Sequence, residues 1–249
     1  MYSDSHTHLA SWPVEQVPGM LKQAVKEGLT VIQAWAENLD SAAVCIGYAE
    51  KNKEVYAGVG IHPWNAVVLT DDIKKRLDEL ARNKQVVAIG EVGLDYARNP
   101  NNKDVQKASL TYQLAYALKQ GLPVDVHTRE AHEDMMAILR PQVKAGLKGI
   151  SHGFTGTVTQ LKDWLALDFY VSIGVRGLVT NELPQMAEMV KQIPADRLLA
   201  ETDNGFTQEH PGLTGVIAVV EKLAKVRGST PEEIGTQTTA NLKRILKIQ

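Results

Sequence analysis

The 249-residue chain has one cysteine, three phenylalanines and no apolar run near the roughly 20 residues that span a bilayer. A lone Cys45 cannot pair within the chain, which excludes a disulfide-stapled fold and points to a reducing, cytoplasmic compartment. An excess of one charge sign is lacking too: 27 Lys and Arg face 29 Asp and Glu, a formal net charge of −2. That balance argues against a whole-molecule electrostatic grip on nucleic acid, though a local basic patch stays open. The opening MYSDSHTHL carries acid where a secretory signal needs a basic and then an apolar stretch. No low-complexity tract, linker-like shift or sequence repeat divides the chain. What is present is a composition of 44% apolar and 22% charged residues, which suits a globule with a substantial core. It reads as a single domain over 1–249.

Two textures alternate. Short β-rich runs lie at 2–8, 30–36, 55–62, 86–94, 123–128, 148–154, 170–175 and 198–203. Between them fall helical patterns near 15–27, 40–51, 71–82, 104–119, 132–143, 157–166, 184–192 and 214–227. In the last of these, Val216, Val219, Val220, Leu223 and Val226 make one apolar stripe. A further helix near 231–247 opens with Thr230 as N-cap, Pro231 at the first helical position and Glu233 three residues after the cap. Gly28, Gly121 and Gly146 follow helical runs, where a left-handed closing residue is wanted. Strands separated by helices imply crossover connections and a parallel sheet. Eight such units in this length predict a (β/α)8 TIM barrel, ahead of a doubly wound open sheet. The seventh unit carries the weakest pattern.

Residues that bind metals gather at the strand ends. Of seven histidines, His6, His8, His62, His127 and His152 fall at or near the C-terminal end of a predicted strand, Glu91 late in the fourth and Asp203 at the close of the eighth. Barrel enzymes carry their reactive groups on that rim. Seven polar groups at equivalent positions of a buried sheet are costly unless they bind something. Residues two apart in a strand share a face, so Asp4, His6 and His8 point the same way. Two imidazoles can then grip one ion while Asp4 orients a ligand from behind.

Other positions have plainer readings. His62 can cap the third strand, while His132 and His210 read as solvated, His210 being near enough in sequence to Asp203 to approach the rim. Trp12, Trp35 and Trp64 follow strand ends, where aromatics stack on bases or, more commonly, pack between loops. Packing is preferred for Trp35; Trp164 and Cys45 read as helix residues facing the core. The helix 71–82 mixes both charge signs and reads as a solvated face with spaced pairs.

Six ordered motifs then carry a resemblance. They are Asp4-Ser5-His6-Thr7-His8, Gly60-Ile61-His62-Pro63, Gly90-Glu91-Val92-Gly93-Leu94-Asp95-Tyr96, His127-Thr128-Arg129, His152-Gly153-Phe154-Thr155-Gly156 and Glu201-Thr202-Asp203. In this order, across essentially the whole chain, they resemble the TatD-like metal-dependent hydrolases of the amidohydrolase-type barrels. The resemblance implies two divalent ions, drawn from Zn, Mn, Mg, Co or Ni. His6, His8 and Asp203 would hold one, and His127 and His152 the other, with Glu91 bridging. Water between the ions would lose its proton near neutral pH and attack phosphorus or a carbonyl carbon. Glu91 and Asp203 would be the catalytic carboxylates, Asp203 taking that proton to the leaving group. Asp4 and Asp95 would orient ligands, Arg129 would meet an anionic substrate, and His62 would touch substrate rather than metal.

The implied activity is a phosphodiesterase that removes nucleotides from DNA or RNA ends. A hydrolase of a small ester, amide or lactone is the alternative, and a non-catalytic metal-holding barrel stands further off. Departures from the family pattern lie in the substrate wall. The stretch from Asn204 to Gly212 is short and lacks an arginine, Arg176 stands in the seventh loop, and the closing Asn241…Arg244 segment lacks its Phe. Arg176 would restore the missing positive charge. No membrane partner is expected, and the chain reads as a monomer or small homo-oligomer.

Overall fold

The computed structural model describes residues 1–180, 184–205 and 212–249. Its strands are β1 (Tyr2–Thr7), β2 (Leu29–Trp35), β3 (Val55–Val59), β4 (Val86–Asp95), β5 (Val124–Arg129), β6 (Gly149–Ser151), β7 (Tyr170–Gly174) and β8 (Leu198–Glu201). The helices are α1 (Val17–Lys26), α2 (Leu39–Lys51), α3 (Asp71–Ala81), α4 (Lys103–Gln120), α5 (His132–Lys144), α6 (Val158–Ala166), α7 (Pro184–Gln192), α8 (Gly215–Arg227) and α9 (Pro231–Leu246). The strands form one sheet in chain order, β1 to β8. A doubly wound sheet reverses its order at a switch point, and this one does not. Past the end of β8, Asp203 N–H donates to the His6 carbonyl at 2.9 Å, and His8 N–H donates to the Asn204 carbonyl at 2.7 Å. That extension pairs with β1 and closes the sheet, so the fold is a (β/α)8 barrel. Among the described residues, no helix is long and apolar enough to cross a membrane.

Two compact units make up the chain, 1–34 with 152–249 and 35–151. In the first, β7 and β8 run parallel from Val171↔Leu198 to Gly174↔Glu201. The α8 stripe is buried at Val216, Val219, Val220 and Leu223. The α9 capping box forms as its sequence predicts: Thr230 Oγ1 accepts from Glu233 N–H at 3.2 Å, and Glu233 Oε2 accepts from Thr230 N–H at 2.9 Å. Further along α9, Asn241 Nδ2 donates to the Ala195 and Leu198 carbonyls at 2.8 and 2.9 Å, which ties the helix to the start of β8.

In the second unit β3, β4, β5 and β6 are joined by parallel pairing. Trp35 is fully buried, with Cys45 Sγ on its carbonyl at 3.6 Å. On the outer face of α3, Lys74–Asp71 and Arg82–Asp78 pair at 3.3 and 2.8 Å. On α4, Gln106 and Gln113 are buried and lie seven residues apart, on one face of the helix. Gln113 accepts from Ile61 N–H at 2.8 Å and donates to its carbonyl at 3.1 Å; Gln106 does the same at Asp95, at 2.8 and 3.0 Å. Gln113 thereby completes the backbone hydrogen bonds of a residue past the end of β3, and Gln106 those of the last residue of β4.

Three strands end two or three residues earlier than the β-rich runs suggest. β3 stops at Val59, β6 at Ser151 and β8 at Glu201, so His62, His152 and Asp203 stand on the segments that follow. Pro63 lacks the N–H a continuing strand needs, and a single helical turn, Pro63–Asn65, starts there instead. Asp203 turns left-handed, with φ 52°. After β7 a π-helical turn, Arg176–Thr180, occupies the place where a small polar loop is expected. His210 lies outside the described residues.

Candidate metal-binding clusters

The first unit holds one cluster. His6 on β1 and His8 just past its end face each other, with 3.0 Å between their Nε2 atoms. Asp203 Oδ1 lies 4.0 Å from His6 Nε2 and 3.6 Å from His8 Nε2. Both histidines are buried, and the Asp203 side chain is one-fifth exposed. The His152 ring stacks on His6 with 3.8 Å between centroids. Burial pushes the Asp203 carboxyl up, but the His8 hydrogen bond and the charges of His6, His152 and His8 outweigh it and hold the group well below the usual carboxylate range.

Two buried carboxylates support this cluster. Asp4 accepts from Thr202 Oγ1 at 2.6 Å, from Thr202 N–H at 2.9 Å and from His6 N–H at 3.2 Å. Burial raises its carboxyl to about 7 even so, with the nearby Glu201 charge adding to the rise. It therefore fixes the backbone on both sides of the cluster, at His6 and beside Asp203. Glu201 Oε1 accepts from Gly153 N–H at 2.6 Å and lies 3.5 Å from His152 Nδ1.

The second unit holds another. Glu91 Oε1 is 3.0 Å from His127 Nδ1 and 3.1 Å from His62 Nε2. His62 Nδ1 accepts from Trp64 N–H at 3.1 Å, so its proton belongs on Nε2, where it donates to Glu91. The remaining nitrogen of His127, Nε2, meets Asp95 Oδ2 at 3.3 Å. Asp95 Oδ2 also accepts from Trp64 Nε1 at 2.6 Å, and its Oδ1 accepts from Arg98 N–H at 2.8 Å. Burial raises the Asp95 carboxyl, but His127, Arg98 N–H and Trp64 together draw it well below its ordinary value. The register sets Gly93 opposite His127, and a Cβ on residue 93 would stand 2.0 Å from the His127 carbonyl oxygen. Only glycine lets the chain pass there.

Each cluster brings one ligand atom from three residues within 4.8 Å of one another: His6, His8 and Asp203 in the first, His62, Glu91 and His127 in the second. A proton shared by two facing imidazoles engages only two of the lone pairs that converge at His6, His8 and Asp203. A divalent cation accepts all three, and imidazole with carboxylate suits the borderline metals. The residues fit a metal.

Residues 3–247 match the model of the family described as TatD related DNase. The chain belongs to this family. Among TatD-family relatives it is 35% identical to YabD of Bacillus subtilis, called a metal-dependent hydrolase, over the whole of both chains. It is also 35% identical to the "3'-5' ssDNA/RNA exonuclease TatD" of Enterobacter lignolyticus, covering 92% of each chain. The solved structure of the TatD homologue YJJV from Escherichia coli shares the fold, with TM-score 0.88, 24% identity and coverage of 100% of this chain and 98% of that one. A TatD-family hydrolase from Entamoeba histolytica shares it at TM-score 0.84 and 19% identity, covering 98% and 97%.

Within this TatD chain, five of the six predicted ligands fall in the two triads, and the sixth, His152, stacks on His6. Arg129 closes β5 and Arg176 opens the π-helical turn; both are exposed. Among the described residues, neither guanidinium makes a hydrogen bond or ion pair with a cluster carboxylate. His62 lies against Glu91, with Nε2 3.1 Å from Oε1. Residue patterns alone passed over Glu201 and Trp64 as partners of cluster residues.

Proposed function

We propose that this TatD-family hydrolase removes nucleotides from the 3′ ends of single-stranded DNA or RNA, and that residues 1–249 act as one domain in doing so. The observation that carries the reading is the pair of imidazole–carboxylate triads, with ligand atoms within 4.8 Å of one another in each. The substrate follows from the relatives named as 3′–5′ exonucleases, which this chain matches over nearly its full length.

On this reading divalent cations would be held by His6, His8 and Asp203 and by the Glu91 and His127 cluster, with His152 the remaining ligand that the resemblance implies. Bound divalent cations supply Lewis acidity, which acidifies water and neutralises charge building on phosphate oxygens. The chain's own residues do the rest. Asp203 is ionised and accepts a proton from the attacking water on a carboxylate oxygen, then returns it to the departing 3′ oxygen. His62 donates to Glu91 and fixes that carboxylate's rotamer. Asp95 holds His127 by Nε2, leaving Nδ1 as the ligand atom, and the Glu201 carboxylate stands 3.5 Å from His152 Nδ1, where its charge favours that ring's orientation. Arg129, exposed at the end of β5, and Arg176, exposed after β7, meet the phosphates.

The test is incubation of protein loaded with Mg, Mn or Zn with 5′-labelled single-stranded DNA, beside nitrophenyl phosphodiesters and carboxyl esters. A ladder shortening from the 3′ end is expected. Asp203→Asn should keep most of its metal and lose rate by about two to four orders of magnitude. Intact DNA at stoichiometric enzyme, with a carboxyl ester turning over, would overturn the reading.

A further inference from the structure

We propose that Trp64 and Arg98 form a nucleobase subsite, which takes the terminal base of the strand by stacking; this rests on the exonuclease reading above for the substrate class. Three observations converge on it. Trp35 and Trp164 are fully buried, whereas Trp64 is half-buried beside the second triad, its ring edge-on to His62 at 4.6 Å and to His127 at 6.1 Å. Its indole is held: Nε1 donates to Asp95 Oδ2 at 2.6 Å, and Asn99 Nδ2 donates to its carbonyl at 3.4 Å. The exposed Arg98 lays its guanidinium over the ring, 3.9 Å from the ring centre.

One carboxylate ties these parts to the reacting centre. Asp95 touches His127 Nε2, Trp64 Nε1 and Arg98 N–H at once. The ring is therefore set at a fixed place relative to a proposed metal ligand, as a subsite for the nucleotide being removed must be. An aromatic face held by its own N–H keeps its position without losing rotamer freedom when a base arrives. A flat guanidinium already on that face shows that the face accepts planar partners. When a base takes the face, Arg98 swings aside and turns its donors to the adjacent phosphate. Stacking uses the π-face and not the base edge, so the subsite admits every base and favours purines for their larger surface.

Two measurements on the metal-loaded protein test this. In the first, oligonucleotides with a 3′-terminal adenine or a 3′-terminal abasic sugar are compared by steady-state kinetics. The parent should show a KM about tenfold lower for the adenine end. Trp64→Leu should erase that difference in KM, Trp64→Phe should keep part of it because the aromatic face remains although its N–H is lost, and Arg98→Gln should raise KM for both ends alike. In the second, calorimetry compares binding of deoxyadenosine monophosphate and deoxyribose phosphate, with elemental analysis confirming equal metal content in each variant. A Trp64→Leu protein that still prefers the adenine ligand, or one whose only change is lost metal and lost kcat, overturns the subsite. A parent that binds the nucleotide preferentially but cuts no strand sinks the exonuclease reading and leaves the subsite standing. A parent that cuts strands with no preference sinks the subsite alone.

Discussion

Glu201 and Gly93 mark the difference between finding a ligand and finding what holds it. The Glu-Thr-Asp motif points to Asp203 as a ligand, yet Glu201 accepts from Gly153 N–H and lies beside His152 Nδ1, so it sets the loop and the ring together. Nothing in residue order reveals that, because residues 152 and 201 meet only through the pairing of β7 with β8 and the return of the loop after β6. Gly93 was legible as a motif letter, but its reason, a carbonyl 2.0 Å from where a Cβ would stand, is purely spatial. At this scale the expected outcome is that Glu201→Gln lowers metal affinity by about 10- to 100-fold, as loss of an orienting carboxylate does elsewhere. Competition against a chromophoric chelator measures it. Unchanged affinity would show that His152 needs no such support.

The elements were legible wherever a periodic apolar face or a β-rich run exists, and less so at their ends. The α9 capping box forms as its sequence predicts, and the α8 stripe is buried at all its positions but Val226, which is half-buried near the helix end, because burial and backbone capping act locally. Strand ends at Val59, Ser151 and Glu201 depend on a proline or a left-handed residue just beyond, which shortens the runs by two or three residues. Helix α4 presents a different difficulty. Its buried positions include Gln106, Ser109 and Gln113, which a hydrophobic pattern counts as solvent-facing. Those glutamines clasp the backbone at Ile61 and Asp95, next to His62 and the Asp95 carboxylate, so the helix carries site geometry on its inner face. Gln113→Leu would strand one buried N–H and one carbonyl at Ile61. Each stranded group costs about 1–3 kcal/mol, so urea unfolding should show a loss of about 2–6 kcal/mol. A loss under about 0.5 kcal/mol would mean that the Ile61 groups find other partners and the clasp is dispensable.

At the scale of the whole chain, eight strands in sequential order leave their ligand-bearing ends in two triads of mostly buried imidazoles and carboxylates. Such groups oppose folding when nothing neutralises them, since each lost water on burial and several face one another at 3.0–4.0 Å. A cation that binds only the folded chain therefore stabilises it by linkage, by about 2.7 kcal/mol for each site when free metal exceeds its dissociation constant 100-fold. In a chain of 249 residues, each kcal/mol moves the melting temperature by roughly 2–4 °C. Adding Zn or Mn to chelator-treated protein should thus raise the melting temperature by about 5–10 °C per occupied site, and a chelator should reverse it. Replacing His6 and His8 together by alanine should remove the share belonging to the first triad while the share of the second, around Glu91 and His127, persists. That partial response separates two independent clusters from a single all-or-none centre. A melting temperature indifferent to every divalent ion would mean that the triads are held together by protons and hydrogen bonds alone, and the hydrolytic chemistry would have no metal to draw on.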